Sequence, residues 1–426
     1  MWVGCQRRQG AYVRSIMIET DVVVIGAGAA GIAALRACLA GGVSATAIEA
    51  RSRPGGRAHT IAANGWPVDL GCGWLHSADR NPLVPIARDL GFEIDERAPP
   101  WRDSNRALGF APGEHASFRA AQAEFYDRLE QAAEAPDDSA AVQWLESGGR
   151  WNPLINAVST YVNGTELDRL STKDFVNYHD TEVNYRVVAG YGALFARLAE
   201  DLPIVFDCAA RVIDRSGARL LIETSNGTLG ARAVIVTVPT NVIASGGLRF
   251  SPKLSDKDEA CAALPLGVAN KIFLSADRAE ELPDNARLFG ARDRTEIGAY
   301  HFRPFGRPMI EGYFGGRFAR ELEREGLAGF ADFAISEVVD ALGSSWKTRL
   351  HPLCASFWAS DPLSFGSYSH ALPGEWARRA QLAQPVDDRI FFAGEATSLH
   401  DFSTAHGAWE SGERAAAEAL RVFNAR

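Results

Sequence analysis

The chain has 426 residues, of which 46% are hydrophobic and 23% charged, and its formal net charge is -9. These values are typical of a globular protein with a sizeable core, and the length suggests two or three domains. The acidic balance argues against nucleic acid as the main partner, because phosphate binding usually needs a basic patch. No stretch reaches the roughly 18 apolar residues of a membrane-spanning helix, so no membrane partner is expected.

The six cysteines are scattered and form no Cys-x-x-Cys pattern. A disulfide framework or a zinc site would need paired spacings, so the sequence predicts neither, and no other metal site. Reduced thiols are typical of the cytoplasm, which is the expected location. Residues 1–16 contain three arginines but no apolar run of signal-peptide length, and they are expected to be a leader. Translation could start at Met1 or at Met17.

The predicted elements begin with a strand, a helix and a second strand. Residues 21–25 (DVVVI) are apolar and β-branched, as in a buried parallel strand, and residues 32–40 are rich in alanine, as in a helix. Gly41-Gly42 ends this helix, and residues 43–48 form the second strand. Together these segments predict one βαβ unit.

The middle of the chain is predicted to be helical, and strands return after it. Helices are expected at residues 116–135, 142–145 and 194–202. Short strands separated by turns are expected at residues 205–207, 210–214, 220–224 and 233–238. A second sheet is predicted from strands at 271–275 and 309–314, followed by a helix at 330–342. The last part has an apolar strand at 390–393 and a helix from about 405 to 423.

This alternation predicts an α/β chain with a discontinuous layout. A Rossmann-like nucleotide-binding domain would comprise residues 17–95, 205–255 and 380–426. An α+β substrate domain with a mixed sheet would be inserted between these parts, as residues 96–204 and 256–379.

A glycine-rich turn connects the first strand to the first helix. Gly26, Gly28 and Gly31 form G-x-G-x-x-G. The first glycine allows the tight turn, the second lets the backbone approach a pyrophosphate, and the third lets the helix pack on the strand. Glu49 ends the second strand, where a carboxylate can accept both ribose hydroxyls. The agreement of strand, turn, helix and acidic residue predicts a dinucleotide site, but it does not separate FAD from NAD.

The segment that follows, E-A-R-S-R-P-G-G-R, resembles the flavin amine oxidases. Arg51 and Arg57 can neutralise a pyrophosphate, and Gly56 permits its close approach. The resemblance implies FAD as the cofactor and an FAD-binding domain of the amine oxidase type.

The resemblance extends over most of the chain after Met17. It includes the loop D-L-G-C-G-W-L-H at residues 69–76, which lies beside the flavin ring in the family, and Val212, whose position usually packs near the adenine. The C-terminal half is more specific, with F-W-A-S-D-P at 357–362, F-F-A-G-E at 391–395 and S-T-A-H-G-A at 403–408. The resemblance implies that the FAD site also includes Gly73, Trp74, Trp358, Gly394, Glu395, Thr404 and Ala405.

Two departures favour the branch of polyamine oxidases and lysine-specific histone demethylases over the monoamine oxidases. Monoamine oxidases hold the flavin covalently through a cysteine, and the matching residue here is Ser367, which implies non-covalent FAD. Their second cage tyrosine is matched here by Thr404, as in polyamine oxidases. The length leaves no room for the chromatin-binding insertion of the demethylases.

The resemblance also implies which residues take part in the chemistry: Lys271, Tyr368, Thr404 and His76. The family's matching lysine reaches flavin N5 through a water and assists reoxidation by O2; the alternative is a lysine that extends to the surface from a strand edge. Tyr368 would wall the substrate against the flavin, or it is a core aromatic. The helix beginning at Ala405 would direct N–H groups at the flavin, with Thr404 as its cap in either case. His76 would hold or deprotonate the amine, and a buried structural histidine is equally compatible with the sequence.

The expected reaction moves a hydride from the carbon next to a substrate nitrogen to flavin N5, with O2 as acceptor and H2O2 as product. A polyamine or another secondary amine is the expected substrate. Asp180, Glu182 and Glu166 are candidate acids for binding it, but a surface position is favoured for each, because acidic residues are mostly exposed. One alternative is an L-amino-acid oxidase, in which Arg303 or Arg186 would bind the carboxylate. Another is a non-catalytic flavoprotein used for interaction or sensing. The oligomeric state stays open.

Overall fold

The structure is a computed structural model in which residues 18–424 are described. The expected leader, residues 1–16, and the possible start at Met17 lie outside the described residues. No helix within residues 18–424 is long and apolar enough to cross a membrane.

The strands of the described chain are β1 Ile18–Ile25, β2 Ala45–Ile48, β3 Thr60–Ala63, β4 Trp66–Asp69, β5 Ile94–Asp95, β6 Ala107–Leu108, β7 Arg186–Val187, β8 Ile204–Val205, β9 Ala210–Asp214, β10 Leu220–Thr224, β11 Gly227–Val236, β12 Arg249–Ser251, β13 Ala269–Ala276, β14 Ala286–Phe289, β15 Ala299–Phe302, β16 Met309–Gly315, β17 Leu350–Ala355 and β18 Ile390–Phe392. The α-helices are α1 Ala29–Ala40, α2 Leu83–Asp89, α3 Glu114–Ala133, α4 Asn152–Val162, α5 Thr172–Asn177, α6 Tyr191–Leu198, α7 Thr240–Ala244, α8 Ser255–Ala263, α9 Gly316–Leu342, α10 Arg378–Ala383 and α11 Ala405–Asn424.

The first sheet has the strand order β12-β9-β10-β11-β1-β2-β8, and β18 also pairs with β11. Strand β1 is central and runs parallel to both β2 and β11. Its side chains are buried on both faces: Val22 and Val24 pack with α1 and α11, whereas Val23 and Ile25 belong to the core on the opposite face. A strand covered on both sides explains the unbroken apolar run in the sequence.

The second sheet has the order β17-β13-β16-β15-β14-β6. Successive side chains of a strand point to opposite faces, so each strand of this sheet divides into two sets. One set, including Ile272, Ile310 and Phe314, packs with α9 residues such as Phe330 and Ala334 in an apolar core.

The opposite face of the second sheet carries polar side chains, and we call it the polar face. Cross-strand neighbours on it are Lys271 with Tyr313, Glu311 with His301, and His301 with Arg287. The apolar face therefore stabilises the domain by packing on α9, and the polar face is available to form a site.

The α/β class and the Rossmann-like sheet with a second mixed sheet are confirmed. The first sheet takes its strands from residues 18–48, 204–251 and 390–392, and the second from residues 107–108 and 269–355. The predicted domain boundaries themselves stay a prediction. The strands expected at 210–214 and 220–224 have the predicted bounds.

Several predicted element boundaries are wrong. Helix α9 begins at Gly316 rather than at residue 330, because contacts with the second sheet outweigh the low helix propensity of its glycines. It has a break at Gly326, where φ is +67°. The strand expected at 205–207 is only β8, since Asp207 has a φ of +53° and leaves the extended region. The helix expected at 142–145 is a single 3₁₀ turn, Ala141–Trp144.

Other boundaries differ by a few residues. Strand β11 begins at Gly227 instead of residue 233, because its first part pairs with β10 in a hairpin. Helix α6 spans Tyr191–Leu198 rather than 194–202, and α3 spans Glu114–Ala133 rather than 116–135. The helix expected at 32–40 begins at Ala29, inside the glycine motif.

Candidate active site

The glycine motif forms the turn from β1 into α1. Gly26 has a φ of +105°, a conformation that side chains rarely adopt. A Cβ on Gly31 would lie 1.9 Å from the carbonyl oxygen of Gly26, so only glycine fits there. A Cβ on Gly28 would meet nothing closer than the Gly55 oxygen at 4.0 Å, which leaves an open approach beside the helix N-terminus. Helix α1 has no side-chain cap, so its first N–H groups can bind an anion.

Glu49 is buried at the end of β2 and receives two backbone hydrogen bonds. Its Oε2 accepts from the Ala27 N–H at 2.7 Å, and its Oε1 accepts from the Arg51 N–H at 2.8 Å. These bonds fix the carboxylate next to the glycine turn. Each oxygen keeps a lone pair that can accept a ribose hydroxyl.

The two arginines of the second glycine segment are held by carboxylates. Arg51 forms an ion pair with Asp361 at 2.7 Å. Arg57 donates to Glu395 at 2.9 Å and to the carbonyl oxygen of Ser367 at 2.6 Å. Gly56, between them, has a φ of +57°, and its backbone lies against Gly28. The segment therefore closes over the glycine turn, as a pyrophosphate site requires.

Glu395 is buried and accepts four hydrogen bonds from the protein. Besides Arg57, its donors are the Ser369 N–H at 3.2 Å, the Ser369 hydroxyl at 2.6 Å and the Ser403 N–H at 2.9 Å. Burial alone would raise the pKa of Glu395, but the charge of Arg57 and the Ser369 hydrogen bond lower it. Because four donors occupy the acceptor positions of a carboxylate, this geometry favours a role in orienting Arg57. The adjacent Gly394 has a φ of +122°, and its N–H donates to Ser411 at 2.8 Å.

Residues 69–76, which we call the flavin loop, are anchored at both sides. Asp69 accepts hydrogen bonds from the Tyr191 N–H at 2.9 Å and from the Thr60 hydroxyl at 2.5 Å. The Trp358 indole donates to the carbonyl oxygen of Leu70 at 3.0 Å. Trp358 thus supports the loop from the direction of the second sheet.

Lys271 projects from β13 on the polar face and reaches the flavin loop. Its Nζ donates to the carbonyl oxygen of Asp69 at 3.0 Å and forms an ion pair with Glu311 at 2.9 Å. A Cβ on Gly73 would lie 2.9 Å from the same Nζ, so the buried glycine leaves the space that the ammonium uses. The alternative of a lysine that extends to the surface is wrong, since only 7% of Lys271 is exposed.

Sequence reasoning missed Glu311, which is fully buried on β16 and also forms an ion pair with Arg186 at 2.9 Å. The sequence suggests Arg186 only as a residue that would bind the substrate carboxylate in an L-amino-acid oxidase. A charged residue inside the apolar run of β16 was an available signal, the same one that singled out Lys271.

Several aromatic side chains lie near Lys271 and connect the polar face to the flavin loop. The Tyr368 hydroxyl donates to the carbonyl oxygen of Tyr161, and the Tyr161 ring lies 6.5 Å from the Tyr313 ring. Burial raises the pKa of Tyr368, so its hydroxyl stays protonated. Trp74 of the flavin loop stacks on His301 at 6.2 Å and donates to the Tyr313 hydroxyl at 3.4 Å.

Thr404 and Ala405 form the start of α11. The Thr404 hydroxyl accepts from the Gly407 N–H at 3.0 Å and donates to the Asp401 carbonyl oxygen at 2.6 Å. Thr404 is therefore the helix cap, and Ala405 is the first helical residue. His406 is buried next to Asp401, at 3.1 Å.

His76, at the end of the flavin loop, has a defined partner. Its Nδ1 lies 2.6 Å from the side-chain oxygen of Asn184. Burial lowers the pKa of His76, which favours the neutral ring. A neutral histidine here can accept a proton from an ammonium or hold a neutral amine.

The remaining candidates lie farther from Lys271. Glu182 is exposed and paired with Arg102. Asp180 is exposed beside it and near His76, where its charge opposes the lowering of the His76 pKa by burial. Glu166 accepts from the Arg317 N–H at 2.8 Å at the start of α9. Arg303 donates to the carbonyl oxygen of Leu282 at 3.3 Å. None of these contacts joins the polar face to the flavin loop.

Val212 lies on β9 of the first sheet, half-buried and paired with Glu223 and Arg249. The open approach at Gly28 and the buried Glu49 follow the neighbouring strands β1 and β2 of this sheet, and Gly55 of the second glycine segment forms a β-bridge with Gly28. This donor set fits a dinucleotide with a ribose and a pyrophosphate, and the Lys271 region lies where the second sheet meets the flavin loop.

Comparison with known proteins identifies the family. A family model described as flavin containing amine oxidoreductase matches residues 29–420. Polyamine oxidase 4 of Oryza sativa subsp. japonica is 29% identical over 93% of this chain and 88% of its own length. Lysine-specific histone demethylase 1 homolog 2 of Arabidopsis thaliana is 28% identical, over 97% of this chain and 60% of its own length.

Among solved structures, putrescine oxidase bound to putrescine superposes with a TM-score of 0.79 at 18% identity, covering 96% of this chain and all of that one. At this identity the likeness shows a shared fold. The family match, which covers residues 29–420, goes further: the chain belongs to the flavin-containing amine oxidoreductases and is an FAD-dependent amine oxidase.

Proposed function

We propose that this amine oxidase acts on a polyamine or another secondary amine with a long aliphatic arm, and that O2 is the electron acceptor. Bound FAD would supply the redox chemistry, taking up a hydride from the carbon next to the substrate nitrogen, and O2 would accept two electrons and two protons to leave as H2O2. The oxidised substrate is an imine, and water hydrolyses it to an aldehyde and an amine. The relatives named polyamine oxidase support this substrate class.

The observation that carries the proposal is the buried ammonium of Lys271 against the flavin loop. A buried charge is costly unless it is paired and hydrogen-bonded, and Lys271 has both an ion pair and a carbonyl partner. An ammonium held at this point can stabilise negative charge that develops during O2 reduction. We therefore assign Lys271 a role in reoxidation, with His76 as a neutral ring that can accept a hydrogen bond from the substrate amine.

The geometry around Tyr368 and Thr404 supports an extended substrate. The ring of Tyr368 is held in place by its hydroxyl bond to the Tyr161 carbonyl oxygen. Both hydrogen bonds of the Thr404 hydroxyl stay within its own helix cap, so this position presents a small side chain instead of a second ring. An aromatic wall on one side only leaves room for a long chain next to it.

One contact pattern favours a second candidate, an amine that also carries a carboxylate. Arg287 lies on the polar face, two strands from Glu311, and donates to the Tyr161 hydroxyl. No carboxylate pairs with Arg287 among residues 18–424. Arg186, by contrast, already forms an ion pair with Glu311 at 2.9 Å, which weakens its candidacy as a substrate ligand.

A peroxide assay distinguishes these substrate classes. The panel is spermidine, spermine, acetylated polyamines, benzylamine and several L-amino acids. Turnover of any polyamine supports the proposal. Turnover of amino acids alone would contradict it, and the substitution Arg287→Gln should then raise KM for the amino acid. Turnover of benzylamine alone would mean that the interpretation of Thr404 is wrong.

We also propose that the protein is cytoplasmic. The described cysteines, Cys38, Cys72, Cys208, Cys261 and Cys354, are all free thiols, as expected in a reducing compartment. Fractionation of the source cells would test this, and recovery of the protein outside the cytoplasm would contradict it.

A further inference from the structure

A single buried carboxylate lies between two cations at the junction of the second sheet and the flavin loop. Glu311 is fully buried, and its two oxygens face different partners: Oε1 lies 2.9 Å from Lys271 Nζ, and Oε2 lies 2.9 Å from Arg186 Nη1. Both cations are themselves at least nine-tenths buried. We call these three residues the buried triad.

Both cations of the buried triad also bind the flavin loop. Lys271 donates to the Asp69 carbonyl oxygen at 3.0 Å, and Arg186 Nε donates to the Gly73 carbonyl oxygen at 3.3 Å. The Arg186 guanidinium lies over the Trp74 ring at 4.8 Å. Glu311 thus pairs with the two side chains that bind the flavin loop at Asp69 and at Gly73.

The charge of Glu311 is stabilised by its neighbours. Burial alone would raise its pKa, but Arg186 and Lys271 outweigh burial and hold the pKa below its usual range. The same carboxylate more than offsets the burial of Arg186, whose pKa is raised. With two cations and one anion, the buried triad carries one net positive charge beside the loop.

We propose that Glu311 is a positioning residue, whose carboxylate holds the Lys271 side chain against the flavin loop and balances its charge. This inference rests on the proposed role of Lys271 in reoxidation. Arg186 completes the arrangement by forming an ion pair with the second carboxylate oxygen. Loss of the negative charge leaves an ammonium and a guanidinium facing each other without compensation, and a buried ammonium then gives up its proton more readily.

Other titratable groups near Lys271 lie on the polar face and on the flavin loop. On the polar face they are Tyr313, whose ring lies 5.4 Å from Nζ, and His301, whose pKa is lowered by burial to about 3. On the flavin loop, burial raises the pKa of Cys72 to about 12 and lowers that of His76. Asp69 turns its carboxylate towards Tyr191 and Thr60. None of these groups places a second carboxylate against Lys271 that could replace Glu311.

The first test compares flavin reoxidation in the holoenzymes Glu311→Gln and wild type by stopped flow from pH 6.5 to 9. We expect the Glu311→Gln rate to fall by about tenfold as the pH rises, whereas the wild-type rate stays nearly constant. Glu311→Asp, which keeps the charge, should retain most of the wild-type profile. A Glu311→Gln profile parallel to wild type would overturn the proposal.

The matched control is Glu337→Gln. Glu337 is another buried carboxylate of the same domain, but it lies on the opposite side of the sheet, where it accepts from the Tyr300 hydroxyl and the Gly298 N–H, each at 2.8 Å. We expect it to affect stability without changing the pH profile of reoxidation. A pH-dependent loss of equal size in both variants would mean that Glu311 has a structural role only.

The second test uses the apoprotein and needs no activity. Urea unfolding of Lys271→Met, Glu311→Gln and the double variant forms a cycle that reports the coupling of the two side chains. We expect strong coupling in this cycle and additive effects when Glu337→Gln replaces Glu311→Gln; additivity in both cycles would overturn the proposal.

If Lys271→Met reoxidises like wild type, the proposed role of Lys271 is wrong. If Lys271→Met is slow and Glu311→Gln keeps the wild-type profile, only the inference on Glu311 is wrong.

Discussion

Two alanine substitutions in the glycine motif should separate cofactor contact from helix packing. Gly28→Ala adds a Cβ whose nearest protein atom is 4.0 Å away, at a φ of -76° that alanine adopts readily. Gly31→Ala adds a Cβ 1.9 Å from the Gly26 oxygen and 2.8 Å from its carbonyl carbon. Both obstructing atoms are backbone, so no side chain can rotate away and α1 must separate from the turn.

The expected magnitudes follow from these distances. Overpacking of this kind costs about 1–3 kcal/mol, so Gly31→Ala should destabilise the apoprotein by about this amount and weaken FAD binding as well. Gly28→Ala meets no protein atom, and the loss of glycine flexibility in the unfolded chain should leave apoprotein stability unchanged or raise it by about 0.4–1 kcal/mol. Its methyl group occupies the approach to the helix N-terminus, so FAD affinity should fall by at least about tenfold, or 1.4 kcal/mol.

The assay pairs urea unfolding of the two apoproteins with FAD titration followed by quenching of flavin fluorescence. We expect Gly28→Ala to lower FAD affinity alone, and Gly31→Ala to lower both FAD affinity and the stability of the apoprotein. Equal destabilisation of both apoproteins, or wild-type FAD affinity in Gly28→Ala, would refute it.

Three further predictions concern the cofactor, the chemistry and acid stability. Because Ser367 replaces the flavin-binding cysteine of monoamine oxidases and its hydroxyl is bonded to Ala269, acid precipitation should release the yellow colour into the supernatant; colour in the pellet would contradict this. Lys271→Met should slow flavin reduction or reoxidation by about tenfold in stopped flow while FAD stays bound, and half-reactions within about twofold of wild type would exclude a catalytic role. Burial lowers the pKa of His370 to about 3, and neither of its ring nitrogens has a hydrogen-bond partner among residues 18–424, so its folded form is neutral. The unfolded chain takes up a proton as the pH falls below about 6.5, so the stability decreases by about 1.6 kcal/mol when the pH is lowered from 6.5 to 5. Urea unfolding at these two pH values should show a smaller loss in His370→Leu than in wild type, and an equal loss in both would contradict the assignment.

The nucleotide half of the molecule could be predicted because its signals are local. Strand β1, the turn at Gly26 and helix α1 follow one another within about twenty residues, and each glycine has a steric reason that applies before any tertiary contact forms. Glu49 could be found by its distance along the chain, and it is buried beside the turn.

The catalytic half depends on register between distant strands, which no local pattern specifies. Lys271 drew attention as a charge among apolar neighbours, but its partner Glu311 is forty residues away and its second neighbour Arg186 lies on a separate two-stranded ribbon. Glu395 illustrates the reverse case. Its motif was recognised, yet the four protein donors around it were not, because Ser369 and Ser403 become its neighbours only in the folded chain.

The pairing of α1 with α11 has a consequence for the order in which the enzyme matures. A Cβ on Gly412 would lie 2.1 Å from the Ala30 oxygen, so the first and last helices of the described chain touch backbone to backbone. Strand β18 and helix α11 leave the ribosome after every strand of the second sheet. During synthesis the second sheet can therefore form while the apolar side of α1 still lacks its partner. We therefore expect FAD to bind stably only after the C-terminal strand and helix have been synthesised, since α1 carries the glycine turn of the FAD site.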